Sequence, residues 1–185
     1  SSEYLFSIVS NYKLYNILRS SLEKNKYCKN KNLKFKSDFL NKYDLVINTD
    51  HSSSLTKKYF TKNIVKKYNS FAFTTIISHD QVLNNTATQI FTKNGPLAFL
   101  PLSENQTSVV FSNNSTKKIE KKKFYEKIKN YNLKYKINYI SEIEYFSIKF
   151  SVLRNYSFKN ILSFGDLLHK IHPLAGQGFN MTIRD

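Results

Sequence analysis

The stretch 160–185 constrains the chain more than any other. Asn160-Ile-Leu-Ser-Phe164 is a short apolar run that halts at Gly165-Asp166. That is the form of a buried strand stopping at a turn with a carboxylate at its C-terminal edge, the edge at which open α/β sheets take their ligands. Two of the chain's four glycines follow in Gly176-Gln177-Gly178, where backbone can approach a ligand closely. Phe179 to Arg184 then reads as a first helical turn, whose free amides and dipole favour a negatively polarised group. Strand, acidic turn, glycine pair and helix start together make a cofactor cradle.

The rest of the chain supplies the parts such a cradle needs. Ser10 can cap a helix that carries Leu14, Ile17, Leu18 and Leu22 on one face, and Leu45-Val-Ile47 makes a short buried strand. Four runs rich in β-branched and aromatic residues lie near Phe71 to Ile77, Thr86 to Phe91, Leu97 to Leu100 and Thr107 to Phe111. Asn84-Asn85 and Asn94-Gly95 separate them, which predicts an antiparallel sheet. Lys118 to Tyr131 reads as a basic amphipathic helix with Ile119, Phe124 and Ile128 toward that sheet, and Glu144 to Val152 returns as a strand.

Gly165-Asp166, His169, Ile171-His172-Pro173-Leu174-Ala175-Gly176-Gln177-Gly178, Asn180 and Arg184-Asp185 resemble, in order and spacing, the second flavin-binding signature of the ubiquinone-biosynthesis aromatic ring hydroxylases. These are class A FAD-dependent monooxygenases built like para-hydroxybenzoate hydroxylase. Upstream, Asp44-Leu-Val-Ile-Asn-Thr-Asp50 with Ser52 to Ser54 is similar to the family's middle motif, a strand ending in Gly-Ala-Asp-Gly. Asn48 and His51 stand where that motif has glycines, positions that ask for left-handed backbone. Phe91 to Leu102 is similar to the substrate-domain hairpin, and Tyr4 to Asn11 to the segment after the first flavin motif. No segment offers that first motif, a strand with Gly-x-Gly-x-x-Gly and a following acidic residue, so the chain reads as an internal fragment of a longer enzyme.

The resemblance implies an α/β fold: part of a Rossmann-type FAD-binding domain with an inserted antiparallel β-sheet substrate domain. Residues 1–55 and 154–185 would belong to the flavin domain and 56–153 to the substrate domain. It implies FAD contacts at Asp50, Gly165, Asp166, Pro173, Ala175, Gly176, Gln177, Gly178 and Asn180. Asp166 would accept hydrogen bonds from the ribityl chain, and the glycine pair would face the pyrimidine edge of the ring. His172 and Pro173 would shape the wall between flavin and substrate, and His79, loosely aligned with a family histidine, would touch the substrate. The implied reaction transfers one oxygen atom of dioxygen to the ring of a prenylated phenol, with NAD(P)H as reductant. No residue stands out as catalytic acid or base. The fragment alone would be inactive, and other quinone-pathway enzymes are expected as partners.

Composition bounds the alternatives. A net charge of +16 ordinarily suggests nucleic acid or an anionic membrane. Yet of 29 basic residues only Arg19, Arg154 and Arg184 are arginine, whereas nucleic-acid surfaces favour the guanidinium fork. Abundant Asn, Ile, Tyr and Phe beside scarce Ala, Gly and Pro is what AT-rich codons produce in any fold. The reading is therefore no nucleic acid, a cytoplasmic protein, and membrane contact at most peripheral, at the inner membrane. Cys28 stands alone, so neither an internal disulfide nor a thiolate metal site is open to it. His169 and His172 share a helical spacing, but Pro173 follows and no third ligand is near, so no metal is expected. The alternative is a non-catalytic structural or assembly protein derived from this fold that no longer binds flavin.

Overall fold

The structure is a computed structural model and describes residues 7–31, 41–115, 119–170 and 177–184. It divides into two compact units, residues 1–35 and 36–185.

The first unit holds helix α1 (Asn11–Lys24), with Ser10 in extended conformation at the N-cap position. The helix start is where Ser10 predicts it. The Ser10 carbonyl accepts from the Leu14 amide at 3.0 Å, but its side chain makes no capping bond. Arg19 Nε donates to Glu23 Oε1 at 2.8 Å, one turn on. Every side chain of α1 stays exposed or half-buried, including the predicted apolar face, where Leu18 is 53% and Leu22 55% exposed.

The second unit contains two sheets. In chain order its elements begin with β1 (Val46–Asn48), α2 (Ser54–Tyr59), β2 (Asn63–His79), β3 (Thr88–Thr92), β4 (Gly95–Ser103) and β5 (Gln106–Asn113). They continue with α3 (Lys121–Tyr131), β6 (Ile137–Ile140), β7 (Glu144–Leu153), β8 (Ser157–Phe158), β9 (Ile161–Ser163), a 3-10 turn (Gly165–Leu167), β10 (His169–Lys170) and α4 (Gln177–Arg184).

The small sheet has the order β1-β9-β8, and its β1–β9 pair is parallel, with Val46 opposite Ile161 and Asn48 opposite Ser163. A parallel pair requires a long crossover, and here everything from α2 to β8 lies in it. All of the large antiparallel sheet except β10, which follows β9, is thus inserted between β1 and the β8–β9 pair, a mixed α/β architecture.

The large sheet has the order β10-β7-β2-β5-β4-β3, with β6 also on β2. β2 is far longer than the run Phe71 to Ile77 suggests. Its first part, Asn63 to Lys67, pairs with Leu153 to Lys149, and a bulge between Lys67 and Phe71 places Asn69 at φ 43°. Lysines on both strands of that ribbon mask its strand character in the sequence. The short strands β6, β8 and β10 are also invisible to pattern reading, because two to four residues show no period.

Alternation places Phe73, Ile77, Leu97, Phe99, Val109 and Phe111 on one face, where α3 covers them with Phe124 and Ile128, all 3% exposed or less. The Phe124 ring lies 5.7 Å from Phe73 and 6.0 Å from Phe111, within the range of favourable aromatic pairing. Burying such side chains contributes roughly 1.5–3 kcal/mol each, so this layer is the main stabilising element of the unit. The β3–β4 hairpin turns over Lys93-Asn94, closed by the Thr92–Gly95 pair. Gly95 has φ 130°, and a Cβ there would collide with the Ser112 carbonyl oxygen, so this turn admits only glycine.

Candidate functional site

The parallel register decides where the predicted cofactor residues fall. Because Asn48 lies opposite Ser163, the C-terminal ends of β1 and β9 share one edge. The chain leaves that edge through Asp50 on one strand and through Gly165-Asp166 on the other. Two carboxylates from remote parts of the sequence therefore stand at the ligand-binding edge of the parallel pair. Both side chains are exposed.

After β1 the turn is built on hydrogen bonds. Asp50 Oδ1 accepts from the Ser52 amide and the Ser52 hydroxyl, each at 2.7 Å. The Ser52 hydroxyl is the first cause, and the Ser52 amide the second, of an Asp50 carboxyl held below the ordinary carboxylate value; burial opposes this weakly, and His51 and Lys57 add to it. Asp50 is therefore charged at neutral pH. Ser53 caps α2 by accepting from the Thr56 amide at 3.1 Å.

Asn48 is buried beneath this turn. Its Nδ2 donates to Thr56 Oγ1 at 2.8 Å, and its Oδ1 accepts from Ser53 Oγ at 3.0 Å. Among the described residues only Asn69 and Lys159 are non-glycine residues with positive φ. The left-handed backbone expected at Asn48 and His51 is thus not what the fold uses. The serine cluster accommodates Asn48 by bonding to its amide, a role the flavin-motif comparison does not suggest and for which Ser53 and Thr56, spaced as a capping pair, were the signal.

After β9 the turn is built on glycine. Gly165 has φ 63°, and a Cβ there would stand 3.3 Å from Thr182 Cγ2, so the strand end packs directly on α4. Asp166 is the middle residue of the 3-10 turn, and the Leu167 that follows it is buried. On α4, a Cβ added to Gly178 would meet nothing within 4 Å. The space beside the first turn of this helix is open, and the helix backbone can meet a ligand there. Asn180 lies on the same helix and is exposed. Gln177 begins α4. His172, Pro173, Ala175 and Gly176 lie outside the described residues.

Exposed carboxylates at a parallel edge, a left-handed glycine at the strand end and an open first helical turn fit an extended nucleotide cofactor. Asp50 and Asp166 suit its hydroxyls as acceptors, and the start of α4 suits a negatively polarised ring edge or phosphate.

His79 stands elsewhere, at the C-terminal end of β2, and is 3% exposed. Its Nδ1 lies 2.8 Å from the Asp80 carbonyl and its Nε2 3.0 Å from Thr107 Oγ1. Tyr135 packs on the ring with centroids 4.3 Å apart. Both nitrogens are engaged inside the protein, and the ring has no surface to offer a substrate; its placement is that of a core residue, unlike the expected contact. Asn84 completes the cluster by donating from Nδ2 to Ser103 O at 2.7 Å and to Thr107 Oγ1 at 2.9 Å.

The face of the large sheet opposite α3 holds side chains that motif matching does not single out. Cross-strand partners share a face, so Ala98, Val110 and Thr74 form one row and Leu100, Ser108 and Ile76 the next. These side chains are half-buried or, for Ile76, 39% exposed. β4, β5 and the Phe71–Ser78 part of β2 contain no Lys, Arg, Asp or Glu, in a chain where 23% of residues are charged. The signal was present as period-2 alternation without charge.

No family model and no curated protein matches the chain. Solved structures do. The chain is similar to CmlS, a flavin-dependent halogenase, with a TM-score of 0.61 and 17% identity over 76% of this chain and 28% of that one. It is similar to the myxobacterial chondrochloren halogenase CndH, a variant of FAD-dependent halogenases, with a TM-score of 0.58 and 12% identity over 76% and 37%. It is also similar to the Diels-Alderase PyrE3 of pyrroindomycin biosynthesis, with a TM-score of 0.54 and 14% identity over 75% and 32%. The chain shares the fold of part of these structures, a mixed α/β arrangement with a large antiparallel sheet. It spans roughly a third of the length of the structures it matches.

Proposed function

We propose that the chain is part of a FAD-dependent monooxygenase that hydroxylates the aromatic ring of a prenylated phenol in ubiquinone biosynthesis, with NAD(P)H as reductant and dioxygen as co-substrate. The observation that carries this reading is the shared edge of β1 and β9, which brings Asp50 to the side of Gly165 and Asp166 although more than half the chain separates them. FAD, when bound, supplies the activation of dioxygen.

The chain's own residues bind and orient. Asp166, exposed at its strand end, would accept from hydroxyls of the cofactor's sugar chain, and Asp50, held ionised by Ser52, would accept from a second hydroxyl. The first turn of α4 polarises whichever flavin edge meets it, and Gly178 keeps that approach clear. The wall between flavin and substrate falls to His172 and Pro173 on the strength of the motif.

The uncharged sheet face suits the substrate. Rows of Ala98, Val110, Thr74, Leu100, Ser108 and Ile76 give a flat apolar surface with hydroxyls at two points, which matches a phenol ring and an isoprenoid tail. No protein acid or base is assigned, since the substrate hydroxyl activates its own ring.

The experiment is incubation of the full-length enzyme with FAD, NAD(P)H, dioxygen and prenylated phenols, with product mass read by spectrometry. A gain of one oxygen atom, reduced in Ile76→Glu and Val110→Glu variants that retain flavin, supports the reading. Reductant consumption without an oxygenated product, or a halogenated product when halide is supplied, contradicts it.

A further inference from the structure

Residues 51–79 and 145–165 contain no aspartate or glutamate, while Lys and Arg recur through both. The fold joins these two segments. They pair as β2 and β7, and the Arg154 amide donates to the Lys62 carbonyl at 2.9 Å. At the end of this ribbon Tyr59 of α2 stacks on Phe158 of β8, with ring centroids 4.3 Å apart and planes inclined by 15°. Lys58 Nζ lies 5.2 Å from the Tyr59 centroid and Lys159 Nζ 5.9 Å from that of Phe158. Lys159 has φ 51° at the tip of the β8–β9 turn, which fixes where its side chain leaves the backbone. Lys58, Lys62, Arg154 and Lys159 are all exposed.

Apolar side chains stand in water beside these cations: Tyr156 is 56%, Ile64 52% and Phe158 39% exposed. The lysines of α3 have a different setting. Lys127 is tied to Asn94 Oδ1 at 3.2 Å and Lys121 lies 3.5 Å from Glu142, and the apolar residues of that helix, Phe124 and Ile128, are buried.

We propose that the surface around the Tyr59–Phe158 stack docks the protein on an anionic lipid bilayer. Among the described residues these four cations form no ion pair, and they complement a negative headgroup layer, where each nearby lysine or arginine adds to the attraction. The long lysine stems allow the ammonium groups to reach phosphates while Tyr156, Phe158 and Ile64 enter the interface. A nucleic acid would also answer to the charge. It would find one arginine among the four cations, where phosphate and base-edge recognition prefers several, and an exposed aliphatic Ile64 that has no role in base readout.

The test is cosedimentation of the protein with vesicles of phosphatidylglycerol and phosphatidylcholine, against vesicles of phosphatidylcholine alone. Binding to the anionic vesicles only is expected. Lys58→Gln/Lys62→Gln/Lys159→Gln should weaken it about a hundredfold, at about fivefold per lysine near the surface. Lys122→Gln/Lys123→Gln/Lys129→Gln on α3 removes the same charge and should weaken it by under about threefold. Phe158→Ser should lower the part of the binding that survives high salt. Equal losses in the two triple variants would show that net charge acts without a docking site, and would overturn the proposal. So would the lack of vesicle binding, or its displacement by a short oligonucleotide at lower concentration than by soluble phosphatidylglycerol analogues.

Discussion

Gly165 and Thr182 face each other across the strand-end turn with too little room for a side chain between them: a Cβ on Gly165 would stand 3.3 Å from Thr182 Cγ2. The glycine also has φ 63°, so an alanine there meets both backbone strain and a neighbour that must move. Gly165→Ala is expected to destabilise the second unit by roughly 1–2 kcal/mol. Adding Thr182→Ala, which removes the methyl group in the way, should recover the packing part and leave the strain. Denaturant midpoints of the two variants check this. Equal midpoints for Gly165→Ala and the double variant would show that Thr182 is not the obstacle.

Asn48 is expected to be structural rather than a damaged glycine. Its amide joins Ser53 and Thr56 under the β1–α2 turn, and its φ is not positive. Asn48→Gly should lower stability by about 1–3 kcal/mol, through the lost bonds and the added backbone entropy of the unfolded chain, without raising flavin affinity. Calorimetry of the variant and a flavin titration read the two effects separately. Tighter flavin binding by Asn48→Gly would contradict the account.

The His79 cluster predicts a hydrogen-bond hierarchy. The Asp80 carbonyl can only accept, so His79 Nδ1 carries the proton and Nε2 accepts from the Thr107 hydroxyl, which itself accepts from Asn84. Thr107→Val leaves Nε2 unpaired in a buried place, while Asn84 Nδ2 keeps the Ser103 and Gln106 carbonyls, and should cost about 1–3 kcal/mol. Thr107→Ser retains the hydroxyl and should cost less. Urea midpoints of the pair are the measurement, and a Val variant as stable as the Ser variant would refute the His79–Thr107 bond.

Asp50 gives a pH dependence of defined sign. Its folded carboxyl lies below the ordinary value because Ser52 donates from its hydroxyl and its amide. A depressed folded value means that the contribution is present above the unfolded value and is lost as pH falls through the folded one. The Ser52 amide resonance should therefore follow a titration whose midpoint lies below the ordinary aspartate value. Ser52→Ala should raise the midpoint. A midpoint at the ordinary aspartate value in both proteins would contradict the turn geometry.

The strand end β9 and its turn are legible in the sequence because their signals are local: an apolar run, a glycine at φ 63° and an acidic residue are adjacent in Ile161 to Asp166. The sheet core was equally readable, since Phe73, Ile77, Leu97, Val109 and Phe111 alternate in strands with clear turns between them. Two things were hidden. The ribbon Asn63 to Lys67 is exposed on both faces, so its period-2 signal is carried by lysines and lost in a lysine-rich chain. The burial of His79 depends on a partner 28 residues away, Thr107, and a contact made across that span leaves no trace in spacing.

The measurement that tests the central claim most directly is flavin absorbance of the purified full-length protein, with Asp166→Ala prepared beside it. The account predicts a yellow protein whose bound FAD is lost, or weakened by at least about tenfold, in the variant, as befits the removal of a charged acceptor. A colourless protein that FAD cannot reconstitute would contradict it and favour a non-catalytic role for this fold. Unchanged FAD affinity in Asp166→Ala would move the cofactor away from the β1–β9 edge.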